Sequence, residues 1–123
     1  MNLQNVEHFL RLQPKIQAIY SEVSLLSKKS HNDAVNKFKL RLINVLVAEA
    51  NEILGDDYKP FSDFDLFSED ELPTTSDVVF VLSPYLGSLE RLRCDNIERD
   101  SIRWYWIIDG EKSELVADQP RTR

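Results

Sequence analysis

Residues 76–94 read Ser76-Asp77-Val78-Val79-Phe80-Val81-Leu82-Ser83-Pro84-Tyr85-Leu86-Gly87-Ser88-Leu89-Glu90-Arg91-Leu92-Arg93-Cys94, and the choice between helix and strand here decides the fold. Val78, Val81, Leu82, Tyr85, Leu86, Leu89 and Leu92 keep one helical phase from end to end. Ser76 is placed to cap such a helix. Yet Val78-Val79-Phe80-Val81-Leu82 taken alone reads as a buried strand, after which Ser83 would cap a new helix with Pro84 at its favoured first position. A strand followed by an unrelated helix has no reason to preserve phase across the proline. One helix kinked at Pro84 is therefore expected, with a strand over 78–82 as the alternative. The first reading gives a mostly helical α+β fold. The second joins 78–82 to the C-terminal hairpin in a small three-stranded sheet.

The hairpin itself is read from period-two alternation. Ile102, Trp104, Trp106 and Ile108 alternate with Arg103, Tyr105 and Ile107. Asp109-Gly110 is a two-residue hairpin turn, and residues 112–117 return as the second strand. A lone hairpin is marginal in water, so it must lean on the helices. Its other face is expected under the chain's own loops, or alternatively against a second subunit in a homodimer through residues 101–117. Residues 118–123 read as a frayed end.

Upstream, Val6, Phe9, Gln13, Ile16, Ile19 or Tyr20, Val23 and Leu26 trace one face of a helix, interrupted by Pro14. A kink is expected there, or a short helix followed by a second starting near Gln13. Lys28 and Lys29 suit its negative end. Ser30-His31-Asn32-Asp33 reads as the start of the next helix, with Ser30 capping the Asp33 amide. That helix should run to Leu54, with Gly55 taking the left-handed stop. Val35, Phe38, Leu42, Ile43, Leu46, Val47, Ala50, Ile53 and Leu54 give it a broad apolar face. Only Lys37, Arg41, Asn44, Asn51 and Glu52 form a polar stripe, so it is placed centrally. With 123 residues, the chain is expected to form a single domain over 1–123.

Residues 56–76 break this pattern. The stretch from Asp56 to Asp77 carries eight acids and one base, Lys59, whereas the rest of the chain is nearly neutral. Four aromatics recur in it every three residues: Tyr58, Phe61, Phe64 and Phe67. Pro60 and Pro73 argue against regular structure. A connection this long without secondary structure is unusual inside a compact domain. The rings seek shelter while the acids resist crowding, so order here should be marginal and easily completed by a partner. The alternative is that the rings seal the domain's own core while the acids face water. On the binding reading, Tyr58, Phe61, Phe64, Leu66 and Phe67 are anchors, and Asp63, Asp65, Glu69, Asp70 and Glu71 are steering charges.

Within this segment, Asp63-Phe64-Asp65-Leu66-Phe67 resembles the short peptide by which bacterial proteins dock on the replication sliding clamp. That peptide usually reads Gln-Leu-Ser/Asp-Leu-Phe. Asp65, Leu66 and Phe67 match it, whereas Phe64 stands for Leu and Asp63 for the diagnostic Gln. The resemblance covers five residues and implies no family.

Other chemistries find little support. The three glycines are scattered, so no phosphate-cradling loop is present. The net charge is −6 and no basic face is evident, which argues against direct nucleic-acid binding. His8 and His31 belong to no recognisable nucleophile constellation. Asp63 and Asp65 match two ligands of a calcium loop, but Phe67, Ser68 and Thr74 fall where a ligand, a glycine and a bidentate Glu belong. Cys94 reads as a small residue near a helix end, with a reactive thiol as the alternative. No apolar run is long enough to span a bilayer, and no basic-then-apolar signal pattern opens the chain, so a cytoplasmic location is expected. The reading is a non-enzymatic protein-interaction module without cofactor, an inhibitor or adaptor whose protein partner meets the acidic–aromatic segment. The alternatives are an acidic mimic of nucleic acid that blocks a basic groove, and a weak divalent-metal-dependent enzyme.

Overall fold

The computed structural model describes residues 1–121. It contains α1 (Leu3–Ser30), α2 (Lys37–Tyr58), α3 (Thr75–Cys94), β1 (Ile97–Arg99), β2 (Trp104–Ile108) and β3 (Glu111–Ala117). The fold is α+β and mostly helical, with a three-stranded antiparallel sheet in the order β1-β2-β3.

The 76–94 stretch is one helix. Val78, Leu82, Tyr85, Leu89 and Leu92 form its buried stripe, and Pro84 lies within the helix without ending it. Phe80, which a strand would have buried, is 74% exposed. The start lies slightly earlier than expected. Thr74, not Ser76, is the cap, in a reciprocal capping box with Asp77.

In the same way α1 passes through Pro14 as one helix and does not split there. Asn2 caps it by accepting from the Asn5 amide at 2.8 Å. Its buried face is Val6, Phe9, Leu12, Ile16 and Val23. Leu12 takes the core position expected for Gln13, and Leu26 is exposed.

The expected start of α2 at Ser30 is corrected. Asn36 is the cap, accepting from the Lys39 amide at 2.9 Å. Residues 31–36 stay non-helical because their backbone serves another helix. The His31 and Asp33 carbonyls accept from the Ser76 and Thr75 amides at the start of α3, and the Val35 amide donates to the Pro73 carbonyl. Orphan amides of a helix start need such partners, and here the neighbouring connection supplies them. Gly55 does take a positive φ, 61°, but its ψ of −172° is extended. The helix kinks there and adds a short turn to Tyr58.

The sheet has a third strand, but it is not 78–82. Residues 97–99 follow α3 almost at once and pair with β2, Ile97 facing Trp106. Asp100 makes the turn between them, its Oδ1 accepting from the Ile102 and Arg103 amides at 2.8 Å each. The second strand therefore begins at Trp104, and Ile102 lies outside it. Asp109 (φ 53°) and Gly110 (φ 82°) form the predicted two-residue turn, with both residues left-handed. Trp106 is fully buried against Phe9, ring centres 5.4 Å apart, and this contact seats the sheet on α1.

Beyond β3 the chain is tied down through Arg93, which is 7% exposed. Its guanidinium donates to both Glu90 carboxylate oxygens and to the Asp118 and Gln119 carbonyls. The Arg121 amide donates to Glu90 Oε2 at 3.1 Å. Residues 118–121, expected to fray, thus have a receptacle. Thr122 and Arg123, the rest of that end, lie outside the described residues.

Candidate interaction surfaces

The acidic–aromatic segment lies along α2, fastened by the polar stripe of that helix. The Asn44 side chain exchanges two hydrogen bonds with the Phe67 backbone, donating to its carbonyl at 2.9 Å and accepting from its amide at 3.0 Å. One turn towards the start of α2, Arg41 donates to Glu69 at 3.2 Å. Two turns further along, Asn51 donates to the Asp65 carbonyl at 2.9 Å and accepts from the Tyr85 hydroxyl at 2.6 Å. The loop therefore runs antiparallel to α2, with residues 65, 67 and 69 on successive rungs.

The rings complete the attachment. Phe61 stands 6.3 Å from Tyr85, Phe64 stands 6.1 Å from Phe61, and Phe67 stands 5.1 Å from Phe64. Edge-on pairs at such distances are favourable beyond simple burial. Tyr58, Phe61, Phe64 and Phe67 are all half-buried against the core. The Tyr58 hydroxyl donates to Asp95 at 2.5 Å, and Arg91 sits 5.0 Å over its ring. That hydrogen bond, helped by burial, raises the phenol above its ordinary pKa. The rings read as partner anchors are thus engaged by their own domain. Leu66 is the exception among the five, at 47% exposure.

The steering acids Asp63, Asp65, Glu69, Asp70 and Glu71 are all exposed. Asp65 is paired with Lys59 and Glu69 with Arg41, which weakens the field they project. Asp70 and Glu71 are held in place by the Ser68 hydroxyl, which accepts from both their amides. Phe67, which matches the last residue of the clamp-docking peptide, is seated on α2. Presenting that peptide in extended form would break both bonds to Asn44.

Among the described residues, no three His, Cys, Asp or Glu side chains converge as metal ligands, and no helix is long and apolar enough to cross a membrane. The Cys94 thiol is raised by burial and by the Glu90 carboxylate it donates to at 3.3 Å, which works against a reactive thiolate.

A different surface carries the exposed apolar area. Phe38, Leu42 and Val45, at i, i+4 and i+7 on α2, are 71%, 50% and 57% exposed. Beside them a groove of about 480 Å³ opens between α1 and α2, lined by Ile19, Leu26, Lys39, Leu42 and Ile43 among others. Periodicity places Phe38 and Leu42 in the broad apolar face of α2, but the structure exposes both. The signal lay in the helical wheel: they sit opposite Leu40, Val47 and Leu54, which are buried. No family model, curated protein or solved structure matches the chain significantly.

Proposed function

We propose that the chain is a non-enzymatic protein-interaction module whose contact surface is the outward face of α2. Phe38, Leu42 and Val45 are the anchors, the α1–α2 groove receives apolar side chains, and the acidic loop forms one charged flank. The observation that carries this is the three-residue apolar stripe left in water on α2, opposite its buried face of Leu40, Val47 and Leu54. Large apolar side chains scattered singly are normal, but a contiguous set beside a groove marks a contact surface. The aromatic rings of 58–67 contribute by holding the loop rigid, which keeps Leu66 and the acids beside that stripe.

The test is photo-crosslinking in the source cell. A benzophenone side chain is placed at residue 38 or 45, and at residue 98 or 114 on the sheet as exposed controls. Adducts confined to residues 38 and 45 are expected. No adduct at either, or equal labelling at the controls, overturns the reading.

A further inference from the structure

We propose that the molecule docked on this face is a second copy of the same chain, related by a two-fold axis running nearly along α2. This rests on reading the α2 face as a docking surface, and it adds the partner and its orientation.

The two borders of the stripe carry opposite charge. A helix turns about 100° per residue, so Arg41, Asn44 and Asn51 lie to one side of Phe38, Leu42 and Val45. That side holds the loop with Lys59 and five exposed acids, Asp63, Asp65, Glu69, Asp70 and Glu71. On the other side Lys39 and Leu42 meet Glu22 and Leu26 of α1 across the groove. Glu22 and Leu26 belong to an α1 stripe at three- and four-residue steps that also includes Arg11, Lys15, Ala18 and Lys29, all exposed. That border has three bases and one acid on α1, Lys39 adds a fourth base from α2, and Asp33 adds a second acid from the α1–α2 connection, so it stays net basic.

Symmetry then selects the arrangement. A closed dimer uses the same patch on both copies. An axis perpendicular to α2 would make the helices antiparallel and lay one acidic loop on the other. An axis along α2 makes them run in the same sense and lays each acidic border on a basic one, twice. The levels also agree. Glu69 stands beside Arg41 near the start of α2, and Leu26 closes the groove at that same end. Glu69, Asp70 and Glu71 of one copy therefore meet Lys29 and Lys39 of the other. Past Val45 the stripe continues with Glu49, which leans toward His8 at 4.0 Å. Two helices in the same sense avoid opposing these carboxylates by crossing near Leu42 at about 50°, an ordinary packing angle.

The purified full chain, with Cys94→Ser as background, is followed by light scattering up to about 200 µM, a range that captures micromolar association. A dimer is expected. Phe38→Asp and Leu42→Asp should each weaken it at least about tenfold with an unchanged far-ultraviolet circular dichroism spectrum. Glu69→Lys with Asp70→Lys should weaken it several-fold, and mixing with a Lys29→Glu, Lys39→Glu chain should restore it. Phe38→Cys alone should form a disulfide-linked dimer. A chain that stays monomeric, a dimer indifferent to Phe38→Asp, or cross-linking only between Phe38→Cys and Val45→Cys copies overturns the proposal. A monomeric chain whose residue-38 photoadduct contains a different protein overturns the second copy but keeps the docking face. Absence of any adduct removes the docking face itself.

Discussion

Arg93 is a charged side chain kept almost entirely from water, and its surroundings explain how. Two Glu90 oxygens and two backbone carbonyls satisfy its donors. Removing one partner of such a pair strands the other, at a cost of about 3 kcal/mol. Arg93→Ala is expected to lose about that much in urea unfolding and to free residues 118–121 to proteolysis. For Glu90, burial alone would raise the carboxyl, but the Arg93 fork, the Arg121 amide and the Cys94 thiol together lower it from 4.5 to about 2. A carboxylate with a lowered native pKa stabilises the fold fully above its unfolded value and progressively less below it. The contribution should thus be intact above pH 4.5 and disappear as the pH falls toward 2. Glu90→Gln should be less stable than wild type at neutral pH, and the gap should narrow across that acid window. A gap independent of pH would contradict the assignment. Gly55 makes a second point at this scale. A Cβ there would meet nothing within 4 Å, yet φ 61° with ψ −172° is a conformation essentially reserved to glycine. Gly55→Ala is expected to cost about 1–3 kcal/mol through backbone strain alone, measured by the shift in thermal midpoint.

At the scale of elements, α2 shows what was legible in the sequence and what was not. Its existence and the break at Gly55 follow from periodicity and one glycine, whereas its expected central place does not hold, because Phe38, Leu42 and Val45 face water. The unbroken phase across Pro84 likewise foretold α3, and Asp109-Gly110 foretold the β2–β3 turn. The start of α2 is not where local chemistry puts it: Ser30-His31-Asn32-Asp33 has good capping residues, but a tertiary demand overrides them, because α3 needs the carbonyls of residues 31 and 33. Strand β1 has only three residues, of which Ile97 alone is buried, too short for alternation to register. Arg41, Asn44 and Asn51 were seen as a polar stripe, but nothing local revealed that a loop more than ten residues away would bind to it. Composition alone therefore leaves 56–76 without a visible seat, which the structure supplies on α2. Asn44→Ala removes both side-chain bonds to Phe67, and a loss of about 1–3 kcal/mol is expected. Amide exchange should quicken over 61–71 and leave α1 and α3 unchanged. Phe64→Ala with Phe67→Ala should likewise destabilise the fold, by about 3 kcal/mol, since half-buried rings forfeit part of a full core deletion. Wild-type unfolding midpoints in that double variant would show that the rings are spare after all.

For the whole molecule, the decisive property is the sidedness of its charge. The overall −6 conceals an acidic loop on one side of α2 and a basic α1 stripe on the other. In a dimer, the sign of the salt dependence reports which borders face each other. Exposed charges interact over roughly 8 Å at physiological ionic strength and over about 3 Å at 1 M. If α2 helices run in the same sense, added salt screens attraction, and association between about 0.05 and 0.5 M should weaken several-fold while its rate falls. If they run oppositely, acidic loops face each other, salt screens repulsion, and association should tighten. The apolar stripe contributes little to either trend, because burial of Phe38, Leu42 and Val45 depends on surface removed from water rather than on ionic strength. Sedimentation velocity at four salt concentrations separates these outcomes without any substitution. Repeating it with Glu69→Gln and Asp70→Asn should flatten the slope, since charges that generate it are gone. A slope unchanged by those two substitutions would place the electrostatic contact elsewhere and remove the acidic loop from the interface.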